Sequence, residues 1–282
     1  MPVFDTPKPI SVEFELGVGD VEITAEDRTD TVVEVRPTDE KDASDVKAAD
    51  QIRVEYANGV LLIKGPKHGV PVVVDFSRKS RSVDVSIVLP TGSRVRGEAA
   101  MADLRGSGRL GECTYKTSTA NIRLEHVGRL NLRTAGHIGV GRVDGDAEVA
   151  TATGRIRLTE VDGAIDAKNS NGDIEIGRVT GDVRARTSNG DITVGHASGG
   201  TTEAKTANGN IRVGEVTRGA LVLKTGSGDL EIGIGGDSPA KLDLNTGYGR
   251  VNNTLEEVAK SFGETIEVRA HTSYGDITIH RA

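Results

Sequence analysis

Ile174-Glu175-Ile176-Gly177-Arg178-Val179-Thr180-Gly181-Asp182-Val183-Arg184-Ala185-Arg186-Thr187-Ser188-Asn189-Gly190-Asp191 is the stretch on which the fold turns. Ile174-Glu175-Ile176 alternates in-out-in, Gly177-Arg178 turns, and Val179 points inward again. Val183-Arg184-Ala185-Arg186-Thr187 alternates a second time, and Asn189-Gly190-Asp191 turns into Ile192. Strict alternation over such short segments is the mark of a half-buried strand, because successive side chains of a strand point to opposite faces. A helix needs apolar spacings of three and four, which these segments lack.

The unit then recurs. Ile156, Ile174 and Ile192 stand 18 residues apart. The same column extends through Leu104, Ile122 and Ile138 on one side and Ile211, Leu230, Val251 and Ile277 on the other, with later steps of 19, 19, 21 and 26. A period near twenty marks stacked repeats. Five residues before each core aliphatic stands a small polar residue: Thr117, Thr151, Asn169, Thr187, Thr206, Thr225, Thr246, Thr272, with Thr134 four before. Two before stands, as a rule, glycine. Asn171-Gly172, Asn189-Gly190 and Asn208-Gly209 are turn dipeptides. Asn-Gly also favours hairpins, so an antiparallel meander competes. Coils with parallel strands are preferred, because they lay each column on itself at about 4.8 Å, which a meander does not. The expected fold is all-β: a single-chain parallel β-solenoid of about 18 residues per coil.

Residues 1–95 read as a strand-rich cap of irregular coils, and residues 96–282 as the regular solenoid. In the cap, Leu16 to Val21 and Tyr56 to Leu61 keep the five-residue offset, which suggests the same unit with long excursions. The charged run from Thr38 to Asp50 is expected to be a loop or short helix. Leu255, Val258, Ala259 and Phe262 have helical spacing, so a short helical excursion is expected at about 254–263.

Composition narrows the function classes. The net charge is -7, from 35 basic and 42 acidic residues, which disfavours nonspecific nucleic-acid binding. Aromatics are 3% with no Trp, so the core is built of small aliphatic layers. One cysteine, Cys113, permits neither an intrachain disulfide nor a cysteine zinc site. No apolar run reaches membrane-helix length and no secretory signal is visible, so a cytoplasmic location is the expectation.

Two columns could carry chemistry. The turn column contains Asp173, Asp191, Asn210, Asp229 and Asp276. Stacked carboxylates about 5 Å apart could hold calcium or serve as a pair for glycan hydrolysis. The plainer expectation is that Asp and Asn finish the turn by bonding their own backbone. His137, Arg155 and Arg250 interrupt the column. The second column is a cationic stripe of Lys116, Arg133, Lys168, Arg186, Lys205 and Lys224, which could bind an anionic polymer. Glu148, Asp166, Glu203 and Asp243 stand two residues earlier, the pattern of a self-compensated solvated face. The histidines show no metal-ligand pair at strand spacing, and no nucleophile elbow, phosphate loop or dinucleotide fingerprint is present.

The units Ser170 to Ile176, Ser188 to Val194, Ala207 to Val213 and Ser273 to Ile279 (Tyr for Asn in the last) share the pattern Ser/Thr/Ala-Asn-Gly-Asp/Asn-Ile-x-Val/Ile. They resemble the bacterial β-strand repeat family labelled "putative adhesin", a domain family of unknown function. The resemblance runs from about residue 10 to the end. It implies a right-handed β-helix-like fold and does not imply a catalytic mechanism; its label implies surface display.

The expectation is therefore a non-enzymatic structural or interaction protein without cofactor or metal. Its partner is an unidentified protein or an anionic polymer, with no nucleic acid, and monomer is favoured over filament. One alternative is a β-helix enzyme or binding protein acting on an anionic polysaccharide. Another is a cytoplasmic scaffold that self-assembles end to end.

Overall fold

The computed structural model describes residues 1–65, 81–236, 238–255 and 265–282. The chain divides into two compact units, Met1–Ala135 and Gly136–Ala282.

The first unit holds β1 (Val3–Asp5), β2 (Ser11–Glu26), β3 (Asp30–Pro37), α1 (Ala43–Asp50), β4 (Arg53–Ala57), β5 (Val60–Lys64), β6 (Val83–Pro90), β7 (Arg94–Thr117) and β8 (Ile122–Thr134). Its centre is coil-like. β2 and β7 run parallel along most of their length, and β7 continues parallel to β8. Val12, Phe14, Ile23, Leu104, Ile122 and Tyr115 form its core, with the Phe14 and Tyr115 rings 5.5 Å apart. The margins depart from the expected coils: β1 with β3, β3 with β6 and β4 with β5 are antiparallel. Tyr56 and Leu61 are thus directly opposed across a hairpin rather than offset along one coil. Asn58 and Gly59 both take positive φ, 52° and 77°, which closes the two-residue turn that matches strand twist. The charged excursion is α1; Asp42 caps its N-terminus, and the buried Asp45 carboxylate accepts the Ser82 N–H at 2.8 Å.

The second unit holds β9 (Ile138–Val143), β10 (Ala147–Thr153), β11 (Ile156–Val161), β12 (Ile165–Asn171), β13 (Ile174–Val179), β14 (Val183–Arg186), β15 (Ile192–Ala197), β16 (Thr201–Asn208), β17 (Ile211–Val216), β18 (Ala220–Ser227), β19 (Leu230–Ile234), β20 (Ala240–Tyr248), β21 (Val251–Asn253), β22 (Ile266–Tyr274) and β23 (Ile277–Arg281). They form two parallel ladders, and each coil gives one strand to each. Ile138, Ile156, Ile174, Ile192, Ile211 and Leu230 stack in register, as the 18-residue period requires. Ile165, Ala167, Ile174, Ile176 and Val179 of one coil are all buried. A core this narrow cannot stabilise a single coil, so burial is shared between stacked neighbours.

The stacking order leaves the chain order at the last coil. Leu230 pairs with Ile277, and Ile277 pairs with Val251. β22 and β23 are thus inserted between β18–β19 and β20–β21, and the coil containing Val251 lies outermost. Accordingly Val251 is 45% exposed, while Ile277 is fully buried. Of the expected helical excursion at 254–263, residues 256–263 lie outside the described residues.

Candidate functional site

The turn column sits where one ladder hands over to the other. The Asp191 N–H donates to Asp173 Oδ1 at 3.1 Å, Asn210 N–H to Asp191 Oδ1 at 2.7 Å, and Asp229 N–H to Asn210 Oδ1 at 2.8 Å. Asp276 N–H donates to Asp229 Oδ1 at 2.8 Å and Arg250 N–H to Asp276 Oδ1 at 2.8 Å. His137 has the same role, its Nδ1 accepting from Arg155 N–H at 3.0 Å. The sequence predicts that these side chains bond their own turns, but each accepts instead from the backbone of the next coil. Parallel stacking brings the like residue to about one strand spacing, close enough for a short acidic side chain to span. The column is therefore an inter-coil clamp.

The same device recurs where sequence reading passed over it. Asp146 accepts from Ala164 N–H at 3.0 Å, Asp182 from Thr201 N–H at 2.7 Å, and, in the first unit, Asp103 from Asn121 N–H at 2.7 Å. The available signal was an Asp or Asn immediately before an inward residue. Asp173 also pairs through Oδ2 with Arg155 at 3.3 Å. Among the described residues, no group of three or more His, Cys, Asp or Glu side chains could hold a metal ion.

The threonine and glycine columns are one structure. Thr187 Oγ1 donates to Gly172 O at 3.2 Å, Thr206 to Gly190 O at 3.1 Å, Thr225 to Gly209 O at 2.9 Å and Thr272 to Gly228 O at 2.9 Å. Asn169 substitutes its Nδ2, 2.7 Å from Gly154 O, and leaves its Oδ1 buried without a hydrogen-bond partner among the described residues. A buried orphan acceptor costs stability. Asn169→Thr is expected to gain about 1 kcal/mol and raise Tm by roughly 2 °C in a thermal melt.

In the second unit the structure aligns Lys168, Arg186, Lys205 and Lys224 on one outward row. Lys116 and Arg133 are in register with each other in the first unit. The row is largely compensated. Lys168 pairs with Asp166 at 3.0 Å, and Glu203 takes Lys205 in a short contact, Arg186 at 3.2 Å and Arg184 at 3.4 Å. The Lys205 hydrogen bond, with help from Arg186, holds the Glu203 carboxyl at about 2. The opposite outer face alternates in the same way, with Arg142–Glu160 at 3.1 Å and His196–Glu215 at 2.8 Å.

Cys113 is fully buried beside Leu130, and burial pushes its thiol up to about 12, so it is no nucleophile at neutral pH. A cleft of about 770 Å³ in the first unit was not visible from sequence; Leu16, Val18, Ile52 and Val83 line it together with Lys47 and Arg81. Among the described residues, no helix is long and apolar enough to cross a membrane.

The family model described as Toastrack DUF4097 matches residues 9–281. Among solved structures, the chain is similar to a "putative adhesin" from Parabacteroides merdae, at 12% identity over 99% of this chain and 95% of that one, with a TM-score of 0.41. It is similar to a "putative adhesin" from Bacteroides fragilis, at 15% identity over 99% and 95%, with a TM-score of 0.39. It is also similar to a "putative cell adhesion protein" from Clostridium sporogenes, at 14% identity over 100% and 98%, with a TM-score of 0.22. No curated protein matches the chain.

Proposed function

This chain belongs to the Toastrack DUF4097 family, and from that premise we infer that it is a non-enzymatic interaction protein whose coils hold regular outer faces for a partner. One observation carries the reading: the carboxylates that could have formed a catalytic or calcium site accept backbone N–H groups of neighbouring coils instead. The stripe that could have bound a polyanion spends Lys168, Arg186 and Lys205 on neighbouring acids. Exposed pairs of this kind contribute roughly 0–1 kcal/mol each. They keep the face near neutral and favour a partner of mixed charge over a polyanion.

The test separates an acceptor from a charge. Asn210 already serves in the column, so an amide oxygen suffices there. Asp191→Asn is expected to lie within about 0.5 kcal/mol of the parent by urea unfolding, whereas Asp191→Ala costs about 1–3 kcal/mol. Calcium binding or turnover that Asp191→Asn abolishes without loss of stability would overturn the reading. So would salt-sensitive binding of an anionic polysaccharide that disappears in Lys168→Glu/Arg186→Glu/Lys205→Glu.

A further inference from the structure

The inserted last coil leaves β20 as the outer strand of its ladder. It pairs with β22 on one side, and among the described residues no other strand pairs with it. Ile266 N–H donates to Pro239 O at 2.8 Å, while Ile266 stands in register with Ala240. In a parallel pair, alternate residues turn both backbone groups to the same neighbour. The odd-numbered residues 239–245 thus face β22, and the N–H and C=O groups of Ala240, Leu242 and Leu244 face the open edge.

Two of the usual protections of an edge strand, short length and proline, are missing from it. The strand is nine residues long and contains no proline. Its inward Leu242 and Leu244 are only half-buried, whereas Leu221 and Leu223, two strands further in, are 0% and 1% exposed. Its outward charges are one cation and one anion two residues apart, Lys241 and Asp243.

We propose that a second copy of this chain completes the edge, with β20 pairing antiparallel to β20 of the other molecule about a two-fold axis through Leu242. In that register Leu242 faces Leu242 and Ala240 faces Leu244. Those residues present the free backbone groups, so about six hydrogen bonds form between the molecules. Lys241 then faces Asp243 of the second copy, and the symmetry makes this pair twice. The two pairs fall at non-hydrogen-bonded positions, where cross-strand side chains lie closest. A register centred on Leu244 instead sets Lys241 against Gly247 and Asp243 against Asn245 and makes no ion pair. The inward leucines of both copies come together on one face, continuing the core through the junction. The contact is isologous and closes at two molecules, so it gives a dimer and not a fibre. It uses a surface separate from the outer faces of the functional reading and stands or falls independently of it.

Sedimentation equilibrium over a range of micromolar concentrations tests the assignment. The parent is expected to show a monomer–dimer equilibrium. Asp243→Lys sets like charges against each other twice and should weaken the dimer about tenfold. The exchange Lys241→Asp/Asp243→Lys restores both pairs and should return the dimer to within about threefold of the parent. Asp243 is in register with Arg269 and Lys241 with Glu267 on β22; these contacts lie within the chain and are present in monomer and dimer alike, so recovery in the exchange reports the intermolecular term. A parent that stays monomeric overturns the proposal, as does a dimer indifferent to Asp243→Lys or a species that grows without closing. Should Asp243→Lys fail to fold, amide exchange decides with the parent alone. The Leu242 and Leu244 amides must gain protection as concentration rises, and protection independent of concentration means the chain's own residues cover the edge.

Discussion

Gly209→Ala is expected to destabilise the protein by about 4 kcal/mol. Gly209 holds φ at +147°, outside the range an L side chain readily adopts. A Cβ built there meets Gly190 O at 2.1 Å and Gly190 C at 2.6 Å. Both atoms are backbone of the neighbouring coil and cannot swing aside. The same coil contact carries the Gly190 N–H to Asn208 O bond at 2.9 Å and the Thr206 hydroxyl bond to Gly190 O at 3.1 Å. Moving the coils apart to admit the methyl group would strain both. Gly236→Ala is the control: it too has positive φ, +55°, but no atom lies within 4 Å of its Cβ position. It should cost about 1 kcal/mol, the conformational part alone. Equal losses by urea unfolding would show that coil approach is not what requires glycine in this column.

Ile192→Ala should cost about 2–5 kcal/mol, while Val251→Ala should cost under about 1 kcal/mol, although both residues belong to one sequence column. Ile192 has no exposed surface and is stacked between Ile174 and Ile211, so truncation leaves a cavity lined on both sides. Val251 is 45% exposed and, among the described residues, has a strand partner, Ile277, on one side only. Its truncation removes area that is already half in water. Thermal unfolding of the two variants beside the parent reads the difference. Similar losses would mean that Val251 is as enclosed as Ile192, contrary to the stacking order described above.

The register of the second unit was legible because a strand's side-chain period of two and a coil period near 18 leave few ways to bury one face. Ile156, Ile174 and Ile192 specified their own neighbours. The candidate columns were legible as rows of like residues but not as bonding partners. Asp173 and Asp191 could equally bond their own turns, and only the spacing between coils directs each carboxylate to the next backbone. The ion pairs of Lys168 and Arg186 followed from alternating charge, which sequence displays directly.

The Asn-Gly dipeptides show the division most sharply. Asn58-Gly59 closes a hairpin, with both residues at positive φ. At Asn171-Gly172, Asn189-Gly190 and Asn208-Gly209 only the glycine is at positive φ, and the asparagines ladder from coil to coil, 3.0 Å from Nδ2 of one to Oδ1 of the next. Local preference permits both outcomes, and the neighbouring coils select one. The sequence by itself determined the strand type, the inward columns, the coil length and the compensation of surface charge, because each follows from a period or an offset along the chain. The tertiary structure alone decided the antiparallel margins of the first unit, the partners of the turn carboxylates, and the insertion of β22 and β23 that leaves β20 at an edge. Repeats with the same inward pattern can stack on one another in any order. The pattern therefore fixes which face is buried, while the choice of neighbour depends on the packing of the whole stack.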